Sequence, residues 1–166
     1  MSYTEIYGFN RDGNAYDQAQ VENAWRGAMA IWRIMEERHL PPVPYSRLMN
    51  PVEARAVWRL YADKSVPMHE RIVLLSTMDK CLVKKEDFPR LIEAFRKFEG
   101  DTSLPEQADI LEAMLENEDF IAVGWNQTSV TATPWWSYDE ETGEEIPYNC
   151  LTGSDHFWLF DDLGGD

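Results

Sequence analysis

The closest grouping of reactive side chains lies near the carboxyl end, where Cys150, Asp155 and His156 stand close in sequence. A thiol, an imidazole to take its proton and a carboxylate to orient the imidazole are the parts of a cysteine nucleophile, so a small hydrolase or transferase using these three residues is one expectation. The plainer reading is a buried cysteine and a packed histidine, because adjacency in sequence supplies no geometry. Of the other histidines, His39 falls where a helix end would favour a cation and His69 near a helix start, and no two have the turn spacing of a metal pair. No glycine-rich phosphate loop, nucleophile elbow or kinase signature occurs; GFNRDGN has two glycines at the wrong spacing and no following lysine. The hydroxyl and amide groups of VGWNQTSV read as a polar turn, although such loops also contact ligands. Asn126-Gln127-Thr128 spells a glycosylation acceptor that carries no weight without a secretion signal. No cofactor and no metal site are expected.

The stretch TPWWSYDEETGEEIPYN offers a different chemistry, that of recognition. WWSYD and EEIPY flank EETG, a hairpin pattern in which Gly143 supplies the left-handed residue and Pro147 marks an edge strand. Side chains alternate across a strand, so Trp135 and Trp136 are expected on opposite faces, one in the core and one partly exposed. Asp139, Glu140, Glu141, Glu144 and Glu145 crowd the loop, where like charges opposed across strands oppose folding slightly. Their spacing does not match a calcium loop. A solvated tip that keeps the chain soluble accounts for them most simply, and a surface for a basic partner is the sharper alternative. Trp125, Trp135, Trp136 and Tyr138 interleaved with these acids supply the aromatic anchors such a surface needs.

The distribution of charge sharpens that alternative. Residues 1–97 hold 13 acids against all 15 lysines and arginines, whereas residues 98–166 hold 17 acids and no base, giving the net charge of −15. A last third without cations argues against direct binding of nucleic acid or anionic lipid, both of which are held by lysine and arginine. With no secretion leader and no apolar run long enough to cross a bilayer, a cytoplasmic chain is expected. Cys81 and Cys150 match no zinc spacing and read as buried thiols.

The elements that must position these groups follow from periodicity. SYTEIYGFN alternates and meets a turn signal at residues 11–14, so a strand is expected. Residues 16–39 carry Val21, Ala24, Trp25, Ala28, Met29, Trp32 and Met35 at three- and four-residue spacings, which predicts one long helix ended by LPPVPY. Asn50, Pro51 and Glu53 predict a capped helix to about Ala62. Residues 68–77 fit either a helix or a strand, with Pro67 and early acid favouring the helix. KCLVK reads as a strand. Phe88, Leu91, Phe95 and Phe98 predict a helix stopped at Gly100, and Ser103 with Glu106 predicts a capping box before a helix striped by Leu104, Ala108, Leu111 and Leu115. DFIAVGWN and DHFWLF read as strands.

The expected architecture is a single α+β domain over residues 1–166: helix-rich in its first two-thirds, packed on a small antiparallel sheet formed by the last third plus an amino-terminal strand. In size and composition the chain resembles the small acidic proteins of phages and mobile elements. The leading functional expectation is a non-enzymatic interaction module, an inhibitor of that type, whose acidic last third grips a basic protein such as a nucleic-acid-binding one. The alternatives are the Cys/His enzyme and a structural subunit that self-associates through exposed aromatic rings. Arg26, Arg33, Arg55 and Arg59 decide between them in part, since pairing with the acids of the last third would quench the outward field.

Overall fold

The computed structural model describes residues 2–127 and 133–163. Strand β1 (Tyr3–Asn10) turns back into β2 (Ala15–Glu22) at a loop in which Asn10 Oδ1 accepts from the backbone of Asp12 and Asn14, both at 3.0 Å, and Gly13 takes φ +90°. The two strands pair antiparallel from Tyr3 opposite Glu22 to Phe9 opposite Ala15, with a bulge between Ile6 and Tyr7. Residues 16–39 are therefore not one helix. Val21 belongs to β2, and Ala24 and Trp25 form a left-handed turn at φ +46° and +69°. The helical spacing of Val21, Ala24 and Trp25 is overridden by β1, whose full-length partner satisfies a whole row of backbone groups.

Helix α1 spans Ala28–His39 and buries Ala28, Ile31, Trp32 and Met35, leaving Met29 outside. Within the helix the expected stripe holds at Ala28, Trp32 and Met35; Met29 lies outside it and Ile31 joins it. Trp32 Nε1 donates to Thr77 Oγ1 at 2.8 Å, so even the buried indole is satisfied. Helix α2 (Pro51–Trp58) starts as expected, with Asn50 Oδ1 accepting from Val52 N at 2.9 Å, and runs on as a 3-10 turn to Ala62. Residues 68–76 are helical: α3 (Met68–Ser76) is buried almost all round. Strand β3 (Cys81–Lys84) follows, then α4 (Phe88–Lys97) and α5 (Leu104–Leu115). The start of α5 uses a different cap from the one expected. Thr102 Oγ1 accepts from Leu104 N at 3.2 Å, while Ser103 Oγ takes the Gln107 amide at 3.0 Å.

After β4 (Phe120–Gln127) come the short strands β5 (Trp136–Tyr138), β6 (Glu145–Pro147) and β7 (Phe157–Trp158). DHFWLF is strand only at Phe157 and Trp158, because Leu159–Asp162 coil into a helical turn, α6. The five-stranded sheet has the order β2-β1-β4-β3-β7, and β7 runs parallel to β3. The class is α+β. The sheet differs from the expected one in being mixed, and its strands β1, β2 and β3 come from the first half of the chain. Helices pack on one face around Ile6, Val83, Val123 and Trp125, while Tyr7, Phe9, Ala15, Leu82 and Ala122 on the other face are covered by Trp135 and Cys150. No described helix is long and apolar enough to cross a membrane.

Candidate functional site

The segment from Thr133 to Cys150 is seated on the sheet by one indole. Trp135 is fully buried and donates from Nε1 to Trp125 O at 2.7 Å, edge-on to Phe9 at 5.3 Å between centroids. Its seat is Gly124, where an added Cβ would lie 2.9 Å from the Trp135 ring and 2.8 Å from Leu82. Tyr148 completes the clasp: its N–H donates to Trp135 O at 2.7 Å, and its own carbonyl accepts from Ala15 N at 2.9 Å.

From this anchor the β5–β6 hairpin projects, in register from Trp136 opposite Pro147 to Tyr138 opposite Glu145. Asp139 builds the loop. Its Oδ1 accepts from Glu141 N at 2.8 Å and Thr142 N at 3.2 Å, and its carbonyl accepts from Gly143 N at 2.8 Å, with Gly143 at φ +73°. Glu140, Glu141, Glu144 and Glu145 are exposed. Among the described residues no ion pair reaches any of the five loop acids.

Of the two adjacent indoles one is in the core and one is partly exposed, as expected, but both pack against the cluster of Tyr7, Phe9 and Ala122, because Trp135 precedes the strand that begins at Trp136. Trp136 is half-buried, meets the exposed Tyr138 edge-on at 4.8 Å, and donates from Nε1 to the Tyr7 hydroxyl at 3.3 Å; Thr133 also donates to that hydroxyl, at 3.4 Å. Tyr7 thereby ties the hairpin to the outer face of β1. Two positions away on that face stands Glu5, which accepts from Asn126 Nδ2 at 2.7 Å, and opposite Tyr7 on β2 stands Asp17. Burial raises the Asp17 carboxyl pKa, and the charge of Glu5 adds to the rise; burial is likewise the main cause that raises the Tyr7 phenol. Neither carboxylate has an ion pair among the described residues. Asp17 was absent from the sequence-derived site because residues 16–22 were read as helix, and Glu5, although read on a strand with Tyr7, then had no partner strand beside it. The turn signal at residues 11–14, directly after an alternating strand, was the cue that would have placed Asp17 on the returning strand of a hairpin.

Two of the four aromatic candidates are inside. Trp135 is the anchor, and Trp125 is 6% exposed against Phe95, with its Nε1 lacking a hydrogen-bond partner among the described residues. The accessible rings of the face are Trp136 and Tyr138.

Most other acids of the last third are neutralised locally. Arg26 pairs with Asp101 and Glu106, Arg96 with Asp109 and Glu112, Arg11 with Glu118, Lys80 with Asp155 and Lys84 with Asp161. Arg26 thus acts as one of the quenching cations, while Arg33, Arg55 and Arg59 form no such pair among the described residues. Beside the five hairpin acids, Glu99, Glu116, Asp119 and Asp162 also form no ion pair among the described residues.

The Cys150, Asp155 and His156 group assembles as a fastening. Cys150 is buried, which pushes its thiol pKa up, and its N–H donates to Gly13 O at 2.8 Å. His156 Nδ1 shares a 2.6 Å hydrogen bond with the Tyr148 hydroxyl, which also accepts from Asp155 N at 3.0 Å, while the Asp155 carboxylate meets Lys80 at 2.6 Å. Burial depresses the His156 pKa. No hydrogen bond links the Cys150 thiol to the imidazole among the described residues, so the arrangement supplies no thiolate–imidazolium pair. His39 and Arg38 contact the buried Glu70 at 3.2 and 2.7 Å, an internal tie between α1 and α3. No three His, Cys, Asp or Glu residues are placed to hold a metal ion among the described residues. Thr128 and the residues that follow it in VGWNQTSV lie outside the described residues.

No family model, curated protein or solved structure matches the chain.

Proposed function

We propose that the protein is an interaction module whose outer face, formed by the β5–β6 hairpin with Glu5 and Asp17, receives a basic protein. One observation carries the reading: among the described residues the acids around that face form no ion pair, whereas Asp101, Glu106, Asp109, Glu112, Asp155 and Asp161 each do. A carboxylate cluster beside like charges gains most from a partner's lysine or arginine, which removes repulsion as well as adding attraction. Trp136 and Tyr138 supply rings against which a guanidinium stacks. In the inhibitor form of this reading, the row of carboxylates stands in for the phosphates that a nucleic-acid-binding protein would otherwise hold. The test is affinity capture at low salt, followed by measurement of the captured complex across ionic strength with the parent and with Glu140, Glu141, Glu144 and Glu145 all changed to Gln. A basic partner whose affinity falls steeply with salt for the parent and only weakly for the variant supports the reading. Partners of neutral or acidic character, or a complex indifferent to salt, refute it.

A further inference from the structure

Strand β2 is an outer edge of the five-stranded sheet, with β1 on one side of it. Antiparallel pairing alternates, so every second residue of an edge strand turns its N–H and C=O away from its neighbour. Two fixed points set the phase. Near the start of β2, Ala15 N donates outward to Tyr148 O at 2.9 Å, and just past its end Asn23 N donates inward to Ser2 O at 3.0 Å. Asp17 therefore follows Ala15 outward, Gln20 and Glu22 lie outward beyond the bulge, and Gln18 is the extra residue that absorbs the change of phase. The chain itself covers the start of this row, where Asn149 bridges antiparallel to Asn14 and Cys150 N reaches Gly13 O at 2.8 Å. From Asp17 to Glu22 the row is open: among the described residues its outward groups bond to no other backbone, and Asp17, Gln18, Gln20 and Glu22 are exposed.

The side chains give this opening a polarity. Asp17, Gln20 and Glu22 stand opposite Tyr7, Glu5 and Tyr3 on the outer face, whereas Ala19 and Val21 stand opposite Ile6 and Thr4 and turn to the helices. No lysine or arginine occurs between Arg11 and Arg26, and Glu5, Asp17 and Glu22 form no ion pair among the described residues. Natural edge strands are guarded by lysine, proline or a bulge; β2 has the bulge and neither residue. We infer that this stretch receives an extended segment of the partner as an added strand, antiparallel to β2, with lysine or arginine at alternate positions beside the acids and apolar residues between them beside Ala19 and Val21. The inference rests on the basic-partner reading above and names how that partner's chain is held. A second copy of β2 does not suit the edge, because it would bring Glu5, Asp17 and Glu22 of both chains onto one face with no cation between them.

The probe is the acetylated, amidated peptide KVKVKVKVK, titrated into the protein at low salt and followed by NMR. Binding should slow amide exchange at Asp17, Gln20 and Glu22, while Val21, already bonded to β1, changes little. In this pairing the lysine amides point at β2 and the valine amides away, because a side chain on the outer face belongs to a residue opposite one whose own backbone faces outward. N-methylation of the lysines should therefore lower affinity by about tenfold or more, and N-methylation of the valines should leave it within about threefold of the plain peptide. Gln20→Pro removes an outward donor without touching the β1–β2 ladder and should weaken the plain peptide by about tenfold. Circular dichroism checks its fold, and the methylated peptides decide the matter even if that variant does not fold. Equal affinities of the two methylated peptides, or a greater loss from the valine series, overturn the added strand; salt-sensitive binding retained in that case leaves the basic-partner reading standing. No binding by any peptide also overturns the inference, and the capture experiment then judges that reading by itself.

Discussion

The loop of the β5–β6 hairpin and the turn between β2 and α1 both pass through left-handed backbone, and both stand beside an exposed aromatic ring, but their chemistry is opposite. At the hairpin the left-handed position is Gly143, Asp139 bonds the loop amides, and nothing lies within 4 Å of where a Gly143 side chain would sit. Between β2 and α1 the same backbone is forced on Ala24 and Trp25, closed by a 2.7 Å bond from Arg26 N to Asn23 O. The first loop is locally encoded. The second is imposed by the elements on either side, and its strain is borne by the rest of the fold.

The largest effect should come from removing what holds the hairpin on the sheet. Trp135→Ala empties a fully buried site and should lower the unfolding free energy by about 3–5 kcal/mol in chemical denaturation. The two turns can then be set against each other with one kind of change. Gly143→Ala meets no steric obstacle, so its cost of about 1 kcal/mol is backbone alone. Trp25→Gly should act in the other direction, raising stability by up to about 1 kcal/mol once glycine's greater freedom in the unfolded chain is allowed for. Opposite signs would establish the contrast; equal signs would erase it.

Acid should weaken the fastening beneath the hairpin. The His156 pKa lies below its ordinary value of 6.5, so the folded state prefers the neutral ring. The stabilising contribution is complete above pH 6.5 and is lost as pH falls through the lower folded value. Stability plotted against pH should therefore have a shallower slope in His156→Gln than in the parent. The smallest change is expected at the tip itself: replacing Glu140, Glu141, Glu144 and Glu145 with Gln should alter stability by only about 0.5 kcal/mol. A large loss would mean that these carboxylates are structural.

The hairpin was legible in the sequence because its signals are local: a glycine, a loop-forming aspartate and flanking aromatic residues act within about fifteen residues of one another. The start of α2 was legible for the same reason, with Asn50 as its cap and proline at the first helical position. Residues 15–22 were not. AYDQAQVE suits either a strand or a helix by composition, and what decides is β1, reached through a turn whose signal was noted but not followed into a second strand. That error also hid Asp17. That one of Trp135 and Trp136 would be buried and the other partly exposed could be read from the sequence, whereas the choice of the buried indole depends on Gly124, which precedes it by eleven residues and leaves the gap it fills.

The position of β4 between β1 and β3 governs how such a chain is made. The ribosome delivers the amino-terminal hairpin, then β3, and only some thirty-five residues later the strand that bonds to both. Until then the apolar faces of all three strands wait without their central neighbour. A nascent chain halted before residue 120 should be sensitive to proteolysis and to chaperone capture, and acquire protection once β4 has emerged and threaded the gap.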